Sequence, residues 1–430
     1  MPGLMRAVAA CAMCLLVWCS AAAADDAGMA LSLENAVSLA VRNNPDLSAV
    51  KARALAMAEM PEQKGSLADP QLTLRAANFP MDTFAIDQEA MTQLQVSLTQ
   101  ALPFPGKLAL RRQIAELERS AADFAFAEER LLLIQDVKSV WWNIYYLDRA
   151  LETVERNQEL YRQLNSIAQT KYEVGSGLQQ EVLLARLELS RLLDARISLE
   201  NMRRNEIIRL NTLLNRQADT GVVLPRSEKV DFPEIPSLEQ LFDRALHASP
   251  KIQDMSSKAA AAERRVRLAE MKYSPDFMAG ATYGYREGEN PNGSERADFA
   301  TVGLTMNLPF FNRAEKERAV SQSRHEAFQQ TDKLQSAENA IMARVATAFS
   351  DYRKNQEEME LLDGGIIPQA RQTLDSMLAG YQVNKVDFLN LLQAQTSLYN
   401  YETRYWKAYS SANQALARLA AAIGEEAIDQ

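Results

Sequence analysis

Residues 93–107 read Gln-Leu-Gln-Val-Ser-Leu-Thr-Gln-Ala-Leu-Pro-Phe-Pro-Gly-Lys, and residues 302–310 read Val-Gly-Leu-Thr-Met-Asn-Leu-Pro-Phe. In the first stretch Leu94, Val96, Leu98 and Leu102 alternate with Gln93, Gln95, Ser97 and Thr99. In the second, Val302, Leu304, Met306 and Leu308 alternate with Gly303, Thr305 and Asn307. An apolar period of two belongs to a strand with one greasy and one wet face. Both alternations end at a proline, Pro103 or Pro309, which cannot donate to a sheet ladder. After the first of them, residues 107–172 contain neither proline nor glycine. Helix over that length would be a rod of about 100 Å at roughly 1.5 Å per residue. Each stretch therefore reads as a strand that gives way to a helical rod, and Pro103, Pro105, Gly106, Pro309 and Phe310 mark the junctions.

The two stretches belong to a longer duplication. Leu33-Glu34, Ala40, Pro45, Ala54, Ala56 and Pro70 recur as Leu238-Glu239, Ala245, Pro250, Ala259, Ala261 and Pro275, 205 residues later. The strand-to-rod motif recurs at 206. Tyr172-Glu-Val-Gly, with Leu183, Ala185 and Leu189, recurs as Tyr381-Gln-Val-Asn, with Leu392, Ala394 and Leu398, at 209. Each half reads as a helix, a strand pair and two further helices. The boundaries are residues 25–218 and 237–430, joined by a proline- and charge-rich linker at 219–236. Expected strands are about 71–79 and 92–102 in the first half, and 277–285 and 298–308 in the second.

The first residues have the pattern of an export signal. Arg6 precedes an apolar run from Ala7 to Trp18, and Ala22-Ala23-Ala24 precede Asp25, so a signal at 1–24 is expected to be cleaved near Ala24. Cys11, Cys14 and Cys19, the three cysteines of the sequence, fall inside it. Disulfides and thiol chemistry are then excluded from the mature protein. A lipid anchor is disfavoured, because the apolar run before Cys11 is short and Trp18 is bulky where lipidation needs a small residue.

The chain carries a net charge of −9, which argues against a nucleic-acid partner. Past the signal there is no run of about 18 apolar residues, so entry into a membrane would have to use strands. Four strands could form a soluble sheet with one buried face. In lipid, however, an open sheet edge has no partner, and a closed barrel needs at least about 8 strands. Two, three or four copies would supply about 8, 12 or 16 strands, and composition does not choose among them. The polar segments 80–90 and 286–297, the latter with Asn290-Pro-Asn-Gly293, read as outward loops.

The remainder reads as long helix. Leu147, Leu151, Val154, Tyr161 and Leu164 form a coiled-coil-like seam. Gly175-Ser-Gly177 turns the chain back through a helix whose expected apolar stripe is Leu189, Leu193, Ile197, Ile207, Leu210 and Leu214. In the second half a rod from Glu315 to Leu362 is expected to break at Gly364-Gly365 and Pro368. The second tip lies at Asn384-Lys385. The two histidines, His247 and His325, are far apart with no second ligand nearby, so they read as structural or solvated; no metal site or cofactor is expected. Phosphate loops, nucleophile elbows and helical metal-protease pairs are absent, so the chain does not read as an enzyme.

This organisation resembles the TolC family of outer-membrane efflux proteins across essentially the whole mature chain. Asp69-Pro70, Asn78-Phe-Pro-Met-Asp82 and Gln100-Ala-Leu-Pro-Phe-Pro-Gly-Lys107 are similar to its heavy-metal-resistance branch, of the CusC and CzcC type. The resemblance implies a mainly α fold with a small β part: an α-helical barrel of coiled-coil rods, and four transmembrane strands per chain completing a 12-stranded β-barrel in a homotrimer. It implies the outer membrane of a Gram-negative bacterium, a periplasmic adaptor, an inner-membrane RND transporter as partners, and efflux of heavy-metal cations. Drug efflux and type I protein secretion are alternatives within this class, and a periplasmic coiled-coil scaffold is the alternative outside it.

For particular residues the resemblance implies a periplasmic gate in which Glu181 and Tyr381 pair. Val386 and Gln393 stand where other members carry an arginine and an aspartate, and Asn390 stands at a position often acidic. A salt-bridge lock is therefore not expected. The resemblance also implies adaptor contact at Val174, Gly175 and Ser176 and at Val383, Asn384 and Lys385.

Overall fold

A computed structural model describes residues 30–225 and 232–428. The expected signal with its cysteines, and residues 226–231 of the linker, lie outside the described residues. In chain order the elements are α1 (Leu33–Asn43), α2 (Pro45–Ala58), α3 (Met60–Gly65), β1 (Gln71–Ala77), β2 (Gln93–Leu102), α4 (Lys107–Glu173) and α5 (Gln179–Leu213). There follow α6 (Leu238–Ala248), α7 (Pro250–Glu270), β3 (Phe277–Tyr285), β4 (Phe299–Met306), α8 (Arg313–Leu361), α9 (Ile367–Gln382) and α10 (Phe388–Ile423).

The leading helix of each half is broken, where a single helix was expected. Asn44 ends α1 and begins α2: its Oδ1 accepts from Leu47 N at 3.0 Å, and its Nδ2 donates to the Leu213 carbonyl at 3.1 Å. Pro45 then fills a first-turn position that needs no N–H. Ser249 and Pro250 divide α6 from α7 with the proline again in the first turn, but here the Ser249 side chain makes no cap and only its extended backbone turns the chain. The α6 start carries a reciprocal cap between Ser237 and Gln240.

Helix α4 is one 67-residue rod. Leu147, Val154, Tyr161 and Leu164 are buried along its seam, as their spacing requires. The stripe expected on α5 is only partly buried. Leu210 and Leu214 are enclosed, but Leu193 and Ile197 are exposed, and Val182, Ala185, Leu192 and Leu199 take the inner face. The helix carries apolar residues on more than one line, and the buried line runs through Val182, Ala185, Leu192 and Leu199 beside the expected Leu193 and Ile197.

The expected break after α8 is also corrected. Leu362–Ile366 form a single π-helical turn, and the chain continues into α9 without a loop. Pro368 has no N–H for the Gly364 carbonyl four residues earlier and would crowd it; the wider turn relieves both problems.

The four strands form one antiparallel sheet in the order β1-β2-β3-β4. Leu72 faces Leu98, Leu98 faces Ala281, and Ala281 faces Val302. Strand β1 stops two residues short of the expected 79 because Asn78 adopts φ 58°. It is fixed there by Nδ2 donating to the Met91 carbonyl and by Thr92 Oγ1 donating to its own carbonyl. Strand β4 covers 299–306 rather than 298–308. The Asp298 side chain accepts from Arg286 N, and Asn307 Oδ1 accepts from Asp276 N.

Sheet and helical tips lie at opposite ends of rods about 100 Å long. Between them sits an aromatic core in which Trp141, Trp142, Tyr145, Tyr352 and Tyr409 are buried together. Trp141 Nε1 donates to the Leu31 carbonyl at 3.0 Å, and Tyr352 donates to the Pro233 carbonyl at 3.0 Å. The described linker residues Val222 and Leu224 enter this core. It thereby ties both chain halves to the middle of the rods.

Candidate functional site

The sheet has two chemically distinct faces. Leu72 and Leu74 of β1, Leu94, Val96 and Leu98 of β2, Ala281 and Tyr283 of β3, and Val302 and Leu304 of β4 share one face by the register. These large side chains are exposed in the single chain, Val302 at 87 %. Thr73, Arg75, Gln95, Ser97, Thr99, Thr282, Thr301 and Thr305 share the other face, where Ser97 and Thr282 exchange a hydroxyl hydrogen bond at 2.8 Å. Among the described residues no strand pairs with the outer edge of β1 or of β4. No described helix is long and apolar enough to cross a membrane.

The loops at the far end of the sheet are held to each other. Arg296 donates to the Asp87 and Glu89 carbonyls of the β1–β2 loop at 3.0 and 3.1 Å. Arg286 donates to the Ala90 carbonyl at 3.0 Å and lies over the Phe299 ring at 4.0 Å. Gly293 N donates to Asn290 O at 2.9 Å, closing the turn expected at Asn290-Pro-Asn-Gly293.

At the other end Pro103 and Pro105 carry β2 into α4, and Gly106 precedes the helix at φ 94°. Pro309 and Phe310 do the same between β4 and α8, with Phe310 and Phe311 both exposed. Here the structure adds a residue that sequence reading missed. Buried Lys107 donates from Nζ to Asp276 Oδ1 at 2.8 Å and to the Ser274 carbonyl at 3.2 Å, while Phe104 N donates to the same carboxylate oxygen at 2.8 Å. Partial burial works against the charged carboxylate, but the bonds from Lys107 and Phe104 outweigh it and hold the Asp276 carboxyl below its ordinary range. The only signal for Asp276 was its place directly after Pro275, because its partner is 169 residues away.

At the tips the two helical hairpins meet. Gly175 takes φ 70° and Asn384 takes φ 60°, so one left-handed residue turns each hairpin. Ser176 N donates to Lys171 O, and Lys385 N donates to Gly380 O, both at 2.8 Å. Tyr381 is 3 % exposed, packs with its ring tilted against Phe388, and donates its hydroxyl to Glu181 Oε2 at 2.9 Å. Burial and the neighbouring Glu181 carboxylate push the Tyr381 hydroxyl far above its ordinary pKa, so it stays a donor.

The other expected gate residues do not join this pair. Val386 packs on Gly380. Asn390 and Gln393 line a separate groove of about 430 Å³ with Gln369, Thr373, Ser397 and Tyr401. Lys171 was also missed: its Nζ donates to the Tyr381 carbonyl and to Asn384 Oδ1, both at 2.6 Å, and lies 4.0 Å from the Tyr381 ring centre. Its position immediately before Tyr172-Glu-Val-Gly was the available signal.

A family model described as outer membrane efflux protein matches residues 36–216 and 241–425. The chain belongs to the outer membrane efflux protein family. Outer membrane protein TolC of Escherichia coli (strain K12) is 22 % identical over 378 residues, covering 83 % of this chain and 75 % of that protein. The cobalt-zinc-cadmium resistance protein CzcC of Cupriavidus metallidurans is 20 % identical over 403 residues, covering 92 % and 90 %. The crystal structure of CusC, described as forming a transmembrane channel, superposes with TM-score 0.76 at 15 % identity, covering 94 % of this chain and 96 % of that one. Membership of the outer membrane efflux protein family makes this chain an efflux channel of the Gram-negative outer membrane and not an enzyme.

Proposed function

We propose that three copies of this chain close a 12-stranded barrel in the outer membrane, continued across the periplasm by their helical rods, as the exit duct of a tripartite efflux system. The observation that carries this reading is the sheet: an apolar face open to its surroundings, a polar opposite face and two unpaired edges. Because β1 and β4 run in opposite directions, β4 of one copy meets β1 of the next as another antiparallel pair, and repetition consumes every free edge. Leu193 and Ile197, exposed on α5, would be covered by the neighbouring rods. The signal at 1–24 would be removed near Ala24, leaving Asp25 as the first residue.

In this reading the Tyr381–Glu181 bond ties the second hairpin to the first in the resting state. An adaptor would engage the tips around Val174, Gly175 and Ser176 and around Val383, Asn384 and Lys385. An inner-membrane RND transporter would supply the energy. Single-channel recording tests the tie: Tyr381→Phe combined with Glu181→Ala is expected to raise resting conductance, and an unchanged closed level removes both residues from the gate. Adaptor contact is tested with single cysteines at Ser176 and Lys385, where absence of any adduct counts against it.

Heavy-metal cations are the proposed cargo, supported by the similarity to CzcC over nine-tenths of both chains. A deletion strain is expected to become sensitive to cobalt, zinc or cadmium and to be restored by the intact gene. Sensitivity to drugs alone would move the assignment to drug efflux.

A further inference from the structure

We propose that Lys171 is the cationic latch of the resting tip, a gate-positioning residue that holds the second hairpin from the first. This inference rests on the gate reading of Tyr381 and Glu181. Tyr381 is gripped at both ends by the opposite hairpin: its hydroxyl by Glu181 of α5, and its carbonyl and ring face by Lys171 of α4.

The surroundings of Lys171 distinguish it from an ordinary surface lysine. Among the described residues it forms no ion pair with a carboxylate within its own hairpin; the acceptors of its ammonium group come from the second half of the chain. The Tyr381 carbonyl belongs to the last turn of α9, where the helix dipole favours a cation. Asn384 Oδ1 comes from the left-handed turn residue itself, so the lysine binds the backbone bend as well as the helix end. The tyrosine ring supplies a third, cation–π contact.

The latch also fits what the second tip lacks. Val386 leaves that tip without a cation of its own at that position, and Lys171 supplies one from the opposite side. The arrangement is one-sided within the chain. The counterpart of Lys171 at the repeat offset is Gly380, and Tyr172 is 47 % exposed. Gly380 contributes by its smallness: a Cβ there would stand 2.5 Å from Val386 Cγ2, so the tight turn that presents Asn384 to Lys171 needs glycine.

The test is resting conductance of the purified full-length protein in planar bilayers. Lys171→Met is expected to raise the open-to-closed ratio about ten- to a hundredfold, the size of a lost charge-assisted bond, and Lys171→Arg to restore much of the closed level. Should Lys171→Met fail to assemble, Asn384→Gly keeps the left-handed turn, removes one acceptor and is expected to open the channel in the same direction. A wild-type closed level in whichever of these variants assembles, while Tyr381→Phe with Glu181→Ala opens it, overturns the latch and leaves the gate standing. If the Tyr381 and Glu181 variants also leave the level unchanged, gate and latch fall together.

Discussion

The Lys107 ammonium group, buried where strand becomes rod, is neutralised by a carboxylate that no local reading would have paired with it. The Asp276 carboxyl titrates lower in the folded protein than in the unfolded chain. Its contribution to stability is therefore present above the ordinary aspartate range and is lost as pH falls through the depressed folded value. Asp276→Asn is expected to cost about 1 kcal/mol at neutral pH, since the carboxylate is half exposed. In thermal unfolding the gap from wild type should narrow as pH falls from about 5 through the depressed folded value; a gap independent of pH would show that Asp276 is not acting through its charge. Lys107 was visible within its motif, and Glu181 and Tyr381 became visible through family resemblance. Asp276 and Lys171 were not, because their contacts join residues 169 and more than 200 positions apart, which no periodicity encodes.

Among the elements, those set by local rules were legible. The strand alternation, the 67-residue rod and the two tip turns follow from local spacing, although β1 and β4 are shorter than that spacing implied. Three features were not. The breaks depend on extended backbone at Asn44 and Ser249, with a side-chain cap at Asn44 alone, before a proline that is otherwise welcome in a first helical turn. The π turn at Leu362–Ile366 depends on neighbours that hold the rod together across Pro368. The inner face of α5 depends on which of its apolar lines meets α4. The tip turn makes a prediction at this scale: Gly380→Ala forces Val386 outward and should destabilise the second hairpin by about 1–3 kcal/mol. Hydrogen exchange at the Lys385 amide, bonded to Gly380 O, is expected to accelerate in this variant, and unchanged protection would mean that the turn absorbs the methyl group.

For the whole molecule, exposure in one chain and tolerance to substitution are expected to part company. Val302 is among the most exposed apolar residues of the sheet, yet it lies on the face assigned to lipid. Val302→Arg should therefore cost about 2–4 kcal/mol if it sits near the bilayer midplane and sharply reduce the protein recovered in outer membrane. Thr301→Arg, one position away on the polar face, should be recovered normally. Equal recovery of both variants would mean that the faces are misassigned. The sequence showed this two-faced character through its period of two, but the copy number came only through resemblance, because no residue pattern within one chain counts its neighbours.

The central claim is that one chain supplies a third of a closed barrel. Native mass spectrometry of protein extracted from outer membranes tests it most directly. The expected result is a detergent-dependent assembly of three chains, each beginning at Asp25; a stable monomer in water without detergent would contradict it.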